Sequence, residues 1–269
     1  MKIDFKVVLI FTITSLSMGC SSMKYTVNSI YGDVKTSGSE RITSKDMEHL
    51  PENVQNYLKF TKIIDKERAA TVRLRQSGEF RTSPDQNWKP MKAEQYFNVN
   101  NVEFCWRGRT GIITATDKFT GGKGSLTVKL LGFIKVVDAK GSEVDQGEIL
   151  RFLSEIVWFP SAFLSDNIKW SAVNDNSAKA TISFREISDS AIFHFNEKNQ
   201  IEKITAKRYM ESGGKFSLED WEIGVLDYAE FDGVMIPNRC NVSWKLETGD
   251  FCWYKFEIVD IDYNNPTVY

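Results

Sequence analysis

The sequence predicts a mainly β chain of α+β class, a large curved antiparallel sheet or half-open barrel wrapped around a central helix. Three observations lead there. Ten or more short segments alternate apolar and polar residues between turn signals, which is the period of half-buried strands. Aromatic residues make up 13% of the chain, with 7 Trp and 18 Phe, and large rings favour pleated surfaces around a generous interior. Only two stretches carry a helical pattern of any length, and one of them sits mid-chain.

The chain opens with MKIDFKVVLIFTITSLSMGC. Lys2 and Lys6 give a positive start, diluted by Asp4, before an apolar run from Val7 to Leu16. This reads as a secretory signal peptide over residues 1–19, too short to span a bilayer comfortably. Leu16-Ser17-Met18-Gly19-Cys20 resembles a bacterial lipobox. That resemblance implies cleavage before Cys20 and acylation of its thiol, so that several chains, palmitate among them, hold the protein to a membrane. Gly19 fits the pattern, whereas Ser17 and Met18 depart from it. With Ser21 and Ser22 following and no Asp, the expected address is the outer membrane, facing the periplasm, or the cell membrane in a host without an outer one. Cys20 and the Ser/Thr-rich residues up to 45 read as a lipidated end and flexible tether. Residues 46–269 read as a single β-rich domain, with no repeat and no dividing linker.

Within that domain a short helix is predicted from Ser44 to Phe60, with Pro51 near the start of its main part. Strands follow. Val72 and Leu74 alternate with Arg73 and Arg75 as far as Phe80, and further candidates cover 93–99, 102–107 and 111–119. Gly121-Gly122-Lys123-Gly124 lacks the Ser or Thr and the helix start of a phosphate-binding loop, so it reads as a hairpin turn. Leu130-Leu131-Gly132-Phe133 falls at the next turn, where polar residues normally sit. An apolar tip there would suit a membrane or a partner, whereas a mid-strand Gly132 would make the run a strand buried on both faces. GEILRFLSEIVWFPSAFL, residues 147–164, is the central helix, ended by Pro160. Strands then resume over 168–173, 179–185, 190–196, 201–209, 216–229, 234–246 and 251–263.

Several stretches together resemble a bacterial family of proteins of unknown function: LPENVQNYLKF (50–60), GEFR (78–81), WKPMKAEQYF (88–97), FCWRGR (104–109), GEILRFLSEIVWFP and FDGVMIPNR (231–239). They occur in the family's order and cover most of the mature chain. The resemblance implies no established activity. Other members usually carry a different hydrophobic or membrane-spanning N-terminus, so the lipobox is a feature of this chain. The late strand-turn pattern also looks like outer-membrane lipoprotein carriers. That likeness implies a half-open barrel with a helix across its mouth and an apolar cavity beneath.

Charge and composition exclude some functions. The net charge is −2, and loss of residues 1–19 leaves 32 basic and 35 acidic residues, a charge of −3. A nucleic-acid partner therefore lacks its electrostatic footprint. With 2 His and 4 unclustered Cys, no metal site and no cofactor is expected. Cys105, Cys240 and Cys252 leave an odd thiol whatever pairs. A hairpin centred on 247–250 puts 240 opposite about 257 rather than 252, so buried free thiols are favoured over a bridge.

Three functions remain. In the first, Glu148 and Glu155, seven residues and roughly 10 Å apart on the helix, serve a hydrolase. Arg151 between them would lower both pKa values, where a general acid needs one raised. The favoured reading makes Glu148, Arg151 and Glu155 a structural polar seam, and leaves His194, flanked by Phe193 and Phe195, structural too. In the second, the helix face bearing Leu150, Ile156, Trp158 and Phe159 roofs a cavity for a hydrophobic ligand such as a lipid or acyl chain, with Trp106 and Trp170 (and Trp88 and Trp221) in its walls. In the third, the chain is an interaction lipoprotein with no small ligand. The second, non-catalytic, is the expectation, with Trp158 the foremost ligand-facing residue and an envelope protein as the other admissible partner.

Overall fold

The computed structural model describes residues 23–32, 34 and 41–269. The expected signal peptide and Cys20 lie outside the described residues. Thirteen strands form one antiparallel sheet in two runs. The first run is β1 (Thr71–Phe80), β2 (Lys89–Asn98), β3 (Glu103–Thr110), β4 (Ile113–Thr120), β5 (Lys123–Leu130) and β6 (Ile134–Ala139). The second is β7 (Ile168–Asn174), β8 (Ser177–Phe184), β9 (Ile187–Phe195), β10 (Ile201–Ser212), β11 (Lys215–Phe231), β12 (Val234–Leu246) and β13 (Gly249–Tyr263).

Each run is a meander, because short turns make sequential antiparallel pairing the shortest connection. The last strand returns to the first, β13 pairing with β1, so β6 and β7 are the two free edges. Helix α3 (Ser142–Glu155) carries the chain between them. It crosses the concave face, touching β4 and β5 on one wing and β8, β9 and β10 on the other. The open sheet around a helix is the architecture the alternation predicts.

The helix differs from its expected bounds. It begins five residues before Gly147 and gives way after Glu155 to 3-10 turns at Ile156–Trp158 and Pro160–Leu164. Pro160 starts the second of these turns rather than ending the helix, since its fixed φ and missing N–H suit a first helical position. Glu143 and Asp145 in the first turn of α3 complement its dipole. The segment expected as one helix from Ser44 is also split, into a 3-10 turn at Ser44–Met47 and α2 (Glu52–Phe60), with Pro51 as the capping position.

Residues 23–31, placed by composition in the tether, are helical (α1). Met23, Val27, Ile30 and Tyr31 form a stripe that is buried with Tyr96 and Cys105 on the convex side of β2 and β3. The apolar spacing of a helix was present in a segment whose Ser and Thr content masked it. Cys105 and Cys240 are buried free thiols, both pushed up to about 12 by burial. Cys252 is free and half-buried, and Cys240 stands opposite Phe256.

Gly124 is what lets α3 lie close to β5. A Cβ there would stand 2.8 Å from the Val144 carbonyl oxygen and 2.9 Å from Glu148 Cγ. Gly124→Val is expected to cost about 1–3 kcal/mol by overpacking, read as a lower melting temperature. A variant melting with the parent would show that the helix yields freely.

Candidate functional site

Paired residues on neighbouring strands share a face, so the register arranges the concave wall of the first run into rows. The row Phe97, Phe104, Phe119 and Gly124 lies deepest and is buried beneath α3. Next comes Gln95, Trp106, Asp117, Leu126 and Ala139, which meets the polar side of the helix. Beyond it runs Ala93, Gly108, Ala115, Val128 and Val137, then Thr110, Ile113, Leu130 and Ile134. Ala115, Val128, Ile113 and Leu130 are half-buried, and Val137 and Ile134 are exposed. Past the row that meets the polar side of the helix, two further rows carry no charged residue, with Thr110 the one polar side chain among them.

The second row meets a buried network. Arg151 Nη1 donates to Asp117 Oδ2 at 2.6 Å, and its Nε donates to Glu155 Oε1 at 2.8 Å. Gln95 Nε2 donates to Glu155 Oε2 at 2.6 Å. Glu148 reaches Arg208 only at 3.5 Å. The Arg151 guanidinium also lies 5.1 Å from the ring centres of both Phe104 and Trp106. Trp106 Nε1 in turn donates to Gln76 Oε1 at 2.9 Å.

Glu148 and Glu155 are only 4% and 6% exposed, and burial changes the expected electrostatics. Desolvation is the largest influence on all three carboxyls and raises each of them, against the lowering effect of Arg151. The sequence-based expectation that Arg151 would lower both glutamates is therefore corrected. Burial and the neighbouring Asp117 push Glu148 up to about 8. Burial works against the charge on Arg151, but Glu155, Asp117 and Glu148 hold its pKa above the ordinary guanidinium value. The three carboxyls differ in how closely a cation approaches them. Asp117 and Glu155 accept short charge-assisted bonds, whereas Glu148 faces the more distant cation.

The predicted seam residues Glu148, Arg151 and Glu155 are thus brought together, and Asp117, Gln95 and Arg208 complete them. Asp117 had a readable signal, a charge at an inward position between Ala115 and Phe119. Gln95 had the same signal, a polar residue at the inward position between Ala93 and Phe97, and Arg208 had none.

The residues expected to line a cavity meet protein atoms instead. Leu150 and Ile156 are fully buried. Phe159 packs on Phe97 with ring centres 4.8 Å apart, and Trp158 meets the ring of Phe256 edge-on at 5.7 Å. Trp170 stacks on Phe163 at 4.8 Å, and Trp106 and Trp221 are buried in the same core. Trp88 lies apart, beneath the cations of Arg81 and Lys255. The interior beneath the helix is filled by aromatic side chains. A cavity of about 340 Å³ opens instead where Phe159 and Pro160 leave the helix. Arg41, Asp65, Lys66, Glu67 and Asp232 bring charged groups to its lining beside Ile42, Ile63, Ala69, Phe159 and Val234.

At the wing's end the run around Gly132 is a turn, with Leu131 at φ 54° and Gly132 at φ 80°. Leu131 is 49% exposed, Phe133 67%, and Ile112 on the adjacent β3–β4 turn 59%. The two turns are tied by Leu131 N–H donating to the Ile112 carbonyl at 2.8 Å. Among the described residues no helix is long and apolar enough to cross a membrane.

A family model described as a family of unknown function (DUF6544) matches residues 40–256. A search of curated proteins returns no match. Among solved structures the chain is similar to a LolA superfamily protein from Nitrosomonas europaea, at 12% identity and a TM-score of 0.46, covering 78% of this chain and 93% of that one. It is also similar to a domain described as an outer membrane lipoprotein-sorting protein from Vibrio parahaemolyticus, at 7% identity and a TM-score of 0.40, covering 72% and 85%.

Proposed function

The chain belongs to this family of unknown function, DUF6544, and from that premise we propose a lipid-anchored envelope protein that binds a hydrophobic ligand without catalysis. The ligand class is an acyl chain, and its seat is the pair of uncovered apolar rows beside α3. One observation carries the reading: Ala115, Val128, Ile113, Leu130, Val137 and Ile134 continue the concave wall beyond the helix without a charged residue. A contiguous apolar surface of this kind is what a soluble domain avoids unless something covers it. The filled core moves the ligand from beneath the helix to its flank, with Trp106 at the boundary between seam and open rows.

The hydrolytic alternative draws on the raised Glu148, which would suit a general acid. Glu148 is closed in against Gly124 and Asp117, however, and Glu155 is already bonded to Arg151 and Gln95. Neither carboxyl stands free to meet a substrate atom.

Val128→Asp puts a charge into the half-exposed apolar row. Binding of a fluorescent fatty acid is expected to weaken at least about tenfold, because an unpaired carboxylate costs several kcal/mol in apolar contact. Melting should change little. Unaltered fatty-acid affinity in this variant, or no saturable binding by the parent, would sink the proposal. Co-purified lipid in a native mass spectrum of detergent-free protein would support it.

A further inference from the structure

The convex face of the same wing carries a second cross-strand row. Lys92 pairs with Arg109, Arg109 with Thr114, Thr114 with Lys129, and Lys129 with Lys135. Four of these five side chains are basic. Two of the direct cross-strand pairs, Lys92–Arg109 and Lys129–Lys135, set like charges opposite each other, an arrangement that destabilises a sheet. Lys135 is shared with Asp138 at 2.7 Å. Among the described residues, Lys92, Arg109 and Lys129 form no ion pair, while the nearby Glu94 is turned to Arg107 at 3.8 Å.

The position of this row gives it meaning. Arg109, Lys129 and Lys135 each stand two residues from a turn that exposes Ile112, Leu131 or Phe133. Two residues of strand span about 7 Å. Apolar side chains at a membrane interface sink roughly 5–10 Å past the headgroups. Tips buried to that depth bring the basic row level with the lipid phosphates.

We infer that the β3–β4 and β5–β6 turns dock on an anionic lipid bilayer, with Ile112, Leu131 and Phe133 inserted and Lys92, Arg109, Lys129 and Lys135 facing phosphate-bearing headgroups. Charge complementarity selects this occupant. An apolar protein groove would accept the tips but would give no use to four cations behind them. The inference does not require acyl-chain binding on the concave rows. α1 shares the cationic face: Met23 Sδ lies 3.7 Å from Cys105 Sγ, on the same face of β3 as Arg109.

The test is the double variant Arg109→Glu, Lys129→Glu in the full chain carrying Cys20→Ser, so that no acyl anchor contributes to vesicle binding. It converts both like-charge pairs into opposite-charge pairs, so the protein should melt no lower than the parent. Vesicle co-sedimentation compares phosphatidylcholine alone with phosphatidylcholine containing about 30 mol % phosphatidylglycerol, since an anionic surface attracts each basic residue brought against it. The parent is expected to prefer the anionic vesicles, and the double variant to lose that preference by roughly a hundredfold. Leu131→Ser, Phe133→Ser should weaken binding to both vesicle types. An anionic preference retained by the charge variant, or vesicle binding unchanged by the tip variant, overturns the inference. Fatty-acid binding by the charge variant should equal the parent's, so failure here is separable from failure of the acyl-chain reading.

Discussion

Arg151→Ala is expected to lower the melting temperature by roughly 10 °C, the largest effect of any single substitution considered. The guanidinium bonds Asp117 and Glu155 at 2.6 and 2.8 Å, and both carboxyls are buried. Removing it leaves two buried acids without their cation, which typically costs about 3–5 kcal/mol. In a domain of this size each kcal/mol moves the midpoint by roughly 2–4 °C. The loss comes from stranding the acids rather than from the worth of the ion pairs, and the distinction is measurable. Arg151→Met combined with Asp117→Asn and Glu155→Gln should recover much of the stability, because neutral groups of similar shape have no charge to desolvate. An Arg151→Ala protein that melts with the parent would show that water reaches the seam and that the network is not a buried one.

The second large effect is a pH dependence. Glu148 has its folded pKa raised to about 8 by burial and by Asp117, from an ordinary value of 4.5. A raised carboxyl stabilises the fold in its protonated form. Its contribution is complete below about pH 4.5 and is lost as pH rises through about 8. Within that window stability falls by about 1.4 kcal/mol per pH unit for one proton held only in the native state. Glu148→Gln keeps a neutral group of the same shape, so its melting temperature should decline less between pH 5 and pH 9 (a range set by about the two pKa values). His194 acts oppositely, since burial lowers its pKa and stability rises as it loses its proton. The comparison of parent with Glu148→Gln cancels that contribution. Parallel pH profiles would mean that Glu148 is ionised in the folded protein.

The predicted elements and the predicted site were legible to different degrees. The strand from Val72 to Phe80 announced itself by local alternation, and the observed β1 matches it. Glu148, Arg151 and Glu155 declared a shared helix face by spacing alone. The apolar run at Leu131–Gly132–Phe133 was visible, and the structure makes it a turn. By contrast, α1 was missed because four polar residues interleave with the four that pack. The filling of the space beneath α3 was not legible at all. Whether Phe97, Phe104 and Phe152 fill that space depends on how closely β2 and β3 curve towards the helix.

The sequence by itself determined the class of the fold and the central helix with its charged face, because each is written in residues a few positions apart, and it left the run at Leu130–Phe133 open between a turn and a buried strand. Tertiary structure decided the sign of the pKa shifts, the filling of the core and the basic row at the tips. The physical reason is distance along the chain: Arg151 meets Asp117 across 34 residues and Gln95 meets Glu155 across 60. Desolvation and cross-strand register exist only once such remote segments are packed together.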